Sequence, residues 1–258
     1  MENQINFTCN GQTIQGIYHP AVGESNAFPT INLLSGFPGN EEDVLGLGEM
    51  LSQHGMNVLT FNYRGIHRSE GEYSLANTQE DIEASFEFLL KEETIKEHRI
   101  DSNRLILGGW SYGGGMALIY AANHPEVSSV FSIAGTDHGE FAREYQKNET
   151  FSNMVDAVFE DVKHPNGPVK FAGKSAIRDE LIMNPVPYDF LTHAAKLVNR
   201  NLLFIGGWDD LNVTIEDHIL PGYRKLIDLG AKNTRLIAFQ DSHAFEQSRS
   251  ELTRTIMN

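Results

Sequence analysis

From residue 30 onward the sequence repeats one unit: a short apolar run, a loop, and a longer amphipathic stretch. The apolar runs fall at 30–34, 57–62, 104–107, 127–133, 201–205 and 234–239. They do not alternate polar with apolar residues, which implies strands buried on both faces, and strands linked through helices run parallel. The clearest helical stretches are 41–54, 79–98, 113–123 and 216–229. Upstream, 5–9 and 13–18 flank Asn10-Gly11, a pair suited to the positive φ of a tight hairpin turn. The chain, 1–258, therefore reads as one α/β domain: a three-layer α/β/α sandwich around a mostly parallel, eight-stranded sheet.

One segment breaks the pattern. Residues 137–190 contain no convincing strand, but carry Phe141, Tyr145, Phe151, Met154, Val158, Phe159 and Phe171 at roughly helical spacing. The expectation is a helical cap insertion over the C-terminal edge of the sheet, where open α/β sheets place their ligands.

Composition narrows the function. A chain of 258 residues, 40% hydrophobic, can stabilise a core without staples. Its single cysteine, Cys9, excludes an intramolecular disulfide framework and a cysteine-based zinc or iron–sulfur site. Thirty-five acids against 20 bases give a formal charge of −15, which argues against nucleic acid or an anionic membrane as partner. No run approaches the ~18 apolar residues of a membrane span. The start, Met1-Glu2-Asn3-Gln4, lacks the basic and apolar regions of a signal peptide. A cytoplasmic location is expected, and the glycosylation-type triplets at Asn6, Asn148 and Asn212 are then accidental.

The stretch that carries chemistry is Gly109-Trp110-Ser111-Tyr112-Gly113. A G-x-S-x-G pentapeptide alone is a weak signal, but here an apolar strand leads in and an Ala/Leu/Ile/Tyr-rich helix leads out. So tight a turn strains the serine backbone and leaves no room for a Cβ two positions away, which Gly109 and Gly113 satisfy. The helix N-terminus also turns free N–H groups toward the site, as a developing oxyanion requires. Other glycines fail on spacing. Gly46-Leu47-Gly48 lacks the third glycine of a dinucleotide fingerprint, and Gly173-Lys174-Ser175 has Pro168 where a phosphate loop needs glycine.

A serine nucleophile needs a base, and the base an orienting acid. Most of the ten histidines lie in polar stretches and read as solvated. His243 differs, because it follows the last strand and so lies at the same sheet edge as Ser111. Asp210, in the loop after 201–205, is the preferred acid, with Asp209 and Asp137 as alternatives. The oxyanion donors would be the N–H of Tyr112 and that of Phe37, in the turn Ser35-Gly36-Phe37-Pro38-Gly39.

Together these residues resemble the α/β-hydrolase superfamily across nearly the whole chain, in the order Ser, Asp, His. The stretch Asn62-Tyr63-Arg64-Gly65-Ile66-His67-Arg68-Ser69 is similar to a structural D-x-R-G-x-G-x-S loop found in many members, with Asn62 replacing its aspartate. Ser35-Gly36 stands where members commonly have His-Gly. The resemblance implies a hydrolase cleaving a small-molecule carboxylic ester through an acyl-enzyme, or else an amide, with Glu140 or Glu144 holding a substrate amine. Loss of catalysis, leaving a binding protein, is a third reading. The proposed chemistry needs no metal or cofactor. The cap aromatics suggest an apolar acyl or alcohol group. The excess of acids over bases in 137–190, ten against six, disfavours polyanionic substrates.

Overall fold

Eight strands form one sheet in the computed structural model, which describes residues 4–41, 44–173 and 177–258. In chain order they are β1 (Gln4–Cys9), β2 (Gln12–His19), β3 (Phe28–Leu34), β4 (Asn57–Phe61), β5 (Ile100–Trp110), β6 (Ser129–Ile133), β7 (Asn201–Gly207) and β8 (Thr234–Phe239). Their spatial order is β1-β2-β4-β3-β5-β6-β7-β8. The β1–β2 hairpin turns at Asn10 and Gly11, both at positive φ. Strand β2 pairs antiparallel with β4, and every later pairing is parallel.

Nine α-helical segments are described: α1 (Leu47–Ser52), α2 (Leu75–Leu89), α3 (Glu92–His98), α4 (Tyr112–Asn123), α5 (His138–Lys147), α6 (Glu149–Val162), α7 (Phe190–His193), α8 (Leu220–Asp228) and α9 (Arg249–Met257). Strand residues divide by parity between two cores. Ile31, Leu33, Val58, Leu203 and Ile205 pack with Leu47 and Leu51 of α1 and Leu252 of α9. Leu34, Leu59, Phe61, Leu202 and Phe204 pack with α2, α4 and α8 through Ile82, Met116 and Leu226. The three layers follow.

Several boundaries differ from the sequence reading. The stretch 41–54 yields helix only over α1; its Glu42 and Asp43 lie outside the described residues. The stretch 79–98 is two helices. Ser74 starts α2 early by accepting the Asn77 N–H at 3.0 Å, and the chain breaks at Leu90 and Lys91. The stretch 216–229 opens with a π-helical turn, Ile215–Ile219, before Pro221 starts α8.

Between β6 and β7 the chain forms α5 and α6, joined at Asn148, whose side chain accepts the Phe151 N–H at 3.1 Å. No strand occurs in the described part of 137–190, but Val169 and Phe171 make isolated bridges to Ile66 and Tyr73. Lys174, Ser175 and Ala176 lie outside the described residues. No described helix is long and apolar enough to cross a membrane.

The parallel register sets the site. Leu34 pairs with Gly109, Trp110 with Ile133, Ile133 with Ile205, and Gly207 with Phe239. The loops after β3, β5, β6, β7 and β8 therefore leave the sheet at one edge.

Candidate active site

Ser111 sits between β5 and α4 at φ 56° and ψ −121°, a conformation costly for a residue with a Cβ. Its surroundings hold it there: its N–H donates to the Ile133 carbonyl at 2.8 Å, and its own carbonyl accepts from Thr136 N–H at 3.0 Å. The flanking glycines are required by contact. A Cβ on Gly109 would lie 2.3 Å from the Gly113 backbone, and one on Gly113 would lie 2.5 Å from the Ser35 carbonyl oxygen.

His243 bridges two other loops of this edge. Its Nε2 lies 3.0 Å from Ser111 Oγ, and its Nδ1 lies 2.6 Å from Asp210 Oδ2. The other Asp210 oxygen accepts the N–H groups of Asn212 and Val213 at 2.8 and 2.9 Å. Burial pushes the Asp210 carboxyl up. The hydrogen bonds from His243, Val213 and Asn212 outweigh that and hold it below the usual carboxylate range. The alternatives are engaged elsewhere. Asp209 is exposed and accepts from Gln240 Nε2 at 2.8 Å. Asp137 caps α5, accepting from Gly139 N–H at 2.9 Å.

Two features of this arrangement escape a reading of the sequence. The Trp110 indole N–H donates to the His243 carbonyl at 3.0 Å, and the two rings lie 5.2 Å apart. Asp241 Oδ2 gathers the N–H groups of Gln247 and Ser248 and the Ser248 hydroxyl, closing the loop that presents His243. The only sequence signal was position, next to the serine and two residues before the histidine.

The turn after β3 lies against the serine: a Cβ on Gly36 would come 3.3 Å from Ser111 Cβ. Among the described residues, neither the Phe37 N–H nor the Tyr112 N–H has a protein acceptor. Tyr63 OH donates to the Ser35 carbonyl at 2.9 Å, supporting the turn that carries Ser-Gly. The loop holding Tyr63 is itself pinned. Arg64 ion-pairs with buried Asp81 and donates to the Asn77 carbonyl at 2.9 Å, while Asn62 Oδ1 accepts the Glu41 N–H at 3.0 Å.

Above Ser111 and His243 lies a cavity of about 510 Å³, within the range of small-molecule sites. Phe141, Phe151, Val155 and Phe159 of α5 and α6 wall one side; Leu211, Asn212 and Val213 wall another. A second cavity of about 350 Å³ lies within the insertion and shares Phe141, Val155, Phe159 and Ile177 with the first.

The reading of most histidines as solvated fails at His138 and His218, which are buried in the cavity wall. Burial and the neighbouring His218 push the His138 imidazole down to about 3, against a hydrogen bond to the Tyr112 backbone. Burial also lowers His218. No local pattern marks either residue, because their environment exists only once the start of α5 and the Ile215–Ile219 turn come together at the cavity. Among the described residues, no group of three or more His, Cys, Asp or Glu could hold a metal ion.

The strand order and the loops at one edge define a class of α/β scaffold, and comparison with known proteins gives it a family. The family model described as alpha/beta hydrolase fold matches residues 29–176. The chain belongs to the α/β-hydrolase family. It is 28% identical to cutinase 1 of Thermobifida cellulosilytica over 133 residues, 51% of this chain. That match spans 48% of the cutinase, less than half its length. It is 33% identical to the uncharacterized protein YfhR of Escherichia coli O157:H7 over 263 aligned positions, covering 98% of this chain and 78% of that one. Among solved structures, Est1E from Butyrivibrio proteoclasticus is similar in fold, with a TM-score of 0.68 at 14% identity, covering 98% of this chain and 96% of that one.

Proposed function

We propose that the protein is a serine hydrolase that cleaves a small-molecule carboxylic ester through an acyl-enzyme. The observation that carries this is the continuous hydrogen-bonded chain Ser111–His243–Asp210, opening into a cavity of substrate size. Ser111 Oγ attacks the carbonyl while His243 Nε2 takes its proton. The oxyanion that forms is met by the N–H groups of Phe37 and Tyr112. His243 returns the proton to the leaving alcohol, then activates water against the acyl-enzyme. Asp210 holds the imidazole in the tautomer this requires. The 28% identity to a cutinase supports an ester over an amide as the bond attacked. The apolar walls of the cavity suit a substrate with hydrocarbon or aryl character.

The test is fluorophosphonate labelling with the adduct mapped by mass spectrometry, beside hydrolysis of p-nitrophenyl butyrate. The expected result is one adduct, on Ser111, lost in Ser111→Ala together with turnover. Wild-type protein that is folded, unlabelled and inactive on the ester would sink the reading and favour a binding role.

A further inference from the structure

The cavity over Ser111 has no lysine or arginine among its described lining residues. Its acids are Asp217 and Glu144. Asp217 is engaged, accepting from Thr214 Oγ1 at 2.7 Å. Glu140, one turn earlier in α5, pairs with Arg143 at 2.8 Å. Glu144 differs. It is half-buried at the cavity wall, and among the described residues no hydrogen bond or ion pair engages its carboxylate.

No other described lining residue offsets that charge. His138 and His218 remain neutral near pH 7, and each has one ring nitrogen, Nε2 and Nδ1 respectively, buried without a partner. The same cavity wall is aromatic, with the Phe141 and Phe151 rings meeting edge to face at 5.3 Å. Ring faces carry negative quadrupolar charge, and a partly enclosed cavity reduces solvent screening. An unbalanced carboxylate next to such rings attracts a cation more than any neutral or anionic group.

We propose that this cavity selects substrates carrying a protonated amine, which Glu144 holds against the Phe141 and Phe151 rings while the ester lies at Ser111. The inference rests on the ester-hydrolase reading and names its substrate class. The amine stands off from the ester by an apolar spacer, accommodated by Val155 and Phe159 of the same cavity.

A binding measurement tests the subsite without turnover. Hexylammonium, hexan-1-ol and hexanoate are titrated calorimetrically into Ser111→Ala protein at neutral pH. Hexylammonium should bind about tenfold tighter than the alcohol, and hexanoate weakest. Adding Glu144→Gln should erase the preference, while Glu144→Asp should keep part of it. Equal binding of the three, or a preference that survives Glu144→Gln, overturns the proposal. Turnover then separates it from the reading beneath it. One pair, p-nitrophenyl 6-aminohexanoate and heptanoate, places the charge on the acyl side. A second, 6-aminohexyl and heptyl butyrate, places it on the alcohol side. A kcat/KM about tenfold higher for the amine member of either pair supports the proposal. Cleavage without such a preference in either pair sinks it and leaves the ester hydrolase standing. Selective hexylammonium binding with none of the four esters cleaved sinks the ester reading and leaves the Glu144 subsite.

Discussion

The Trp110 side chain holds the backbone of His243: its indole N–H reaches the His243 carbonyl at 3.0 Å, across 133 residues of sequence. The residue before Ser111 thus fixes the loop that presents His243. Trp110→Phe keeps the ring contact and deletes the donor. A hydrogen bond of this kind contributes about 1 kcal/mol. We expect kcat on p-nitrophenyl butyrate to fall about tenfold with KM within about threefold, because misplacement of the base affects the chemical step. A lower Tm with unchanged kcat would mean that the bond serves stability alone.

The two neighbouring aspartates should separate cleanly. Asp210→Asn leaves the imidazole facing an amide, which favours the wrong tautomer, and kcat should drop about 10³- to 10⁴-fold. Asp209→Asn disturbs only an exposed contact with Gln240, and kcat should stay within about threefold. Steady-state kinetics on both variants decide this, and the reverse ranking would assign the acid to Asp209.

Gly113→Ala adds one methyl group where the Ser35 carbonyl oxygen and the Leu34 backbone already lie 2.5 and 2.7 Å away. Strand β3 and helix α4 would have to part. We expect a loss of about 2–4 kcal/mol in denaturant unfolding, and reduced activity in the protein that remains folded. Gly173→Ala is a control of opposite kind: among the described residues nothing lies within 4 Å of its added Cβ, which leaves the cost of its positive φ of 70°, about 1 kcal/mol.

Asp137 gives a pH signature. Burial, aided by the neighbouring Asp189 carboxylate, pushes its carboxyl from 3.8 to about 6. The folded protein keeps a proton there that the unfolded chain releases between those values. Stability therefore falls as pH rises through that window and levels off above it. Asp137→Asn keeps an oxygen for the Gly139 N–H and removes the charge. Thermal melts at pH 4.5 and 7.5 should show a flatter pH dependence for the variant, with a gain at pH 7.5 of about 3 kcal/mol at most. Parallel curves would show that Asp137 ionises like an exposed carboxylate.

Periodicity carried most of the architecture. Six apolar runs and one hairpin all became strands, because a run buried on both faces has few other uses in a chain of this size. Helix ends were less legible, since they depend on caps such as Ser74 and on the break at Leu90 and Lys91. At the candidate site, Ser111 was marked by its glycines and Asp210 and His243 by the strands before them. The structure puts His243 within hydrogen-bonding distance of both Ser111 and Asp210. Trp110, Asp241, His138 and His218 were not legible. Their partners are distant in sequence, and nothing adjacent to them signals a contact that exists only once the sheet edge is assembled.

The connection from β6 to β7 supplies Phe141, Phe151 and Phe159 to the cavity wall, yet contributes no atom to the path from Ser111 through His243 to Asp210. Part of the cavity's shape and the path from Ser111 to Asp210 are thus encoded in separate stretches of the gene. Sequence drift in α5 and α6 can reshape that part of the cavity without touching the path, whereas drift at the ends of β5, β7 or β8 has no such freedom. Lineages descended from a common ancestor of this chain should therefore diverge faster in α5 and α6 than where these strands end.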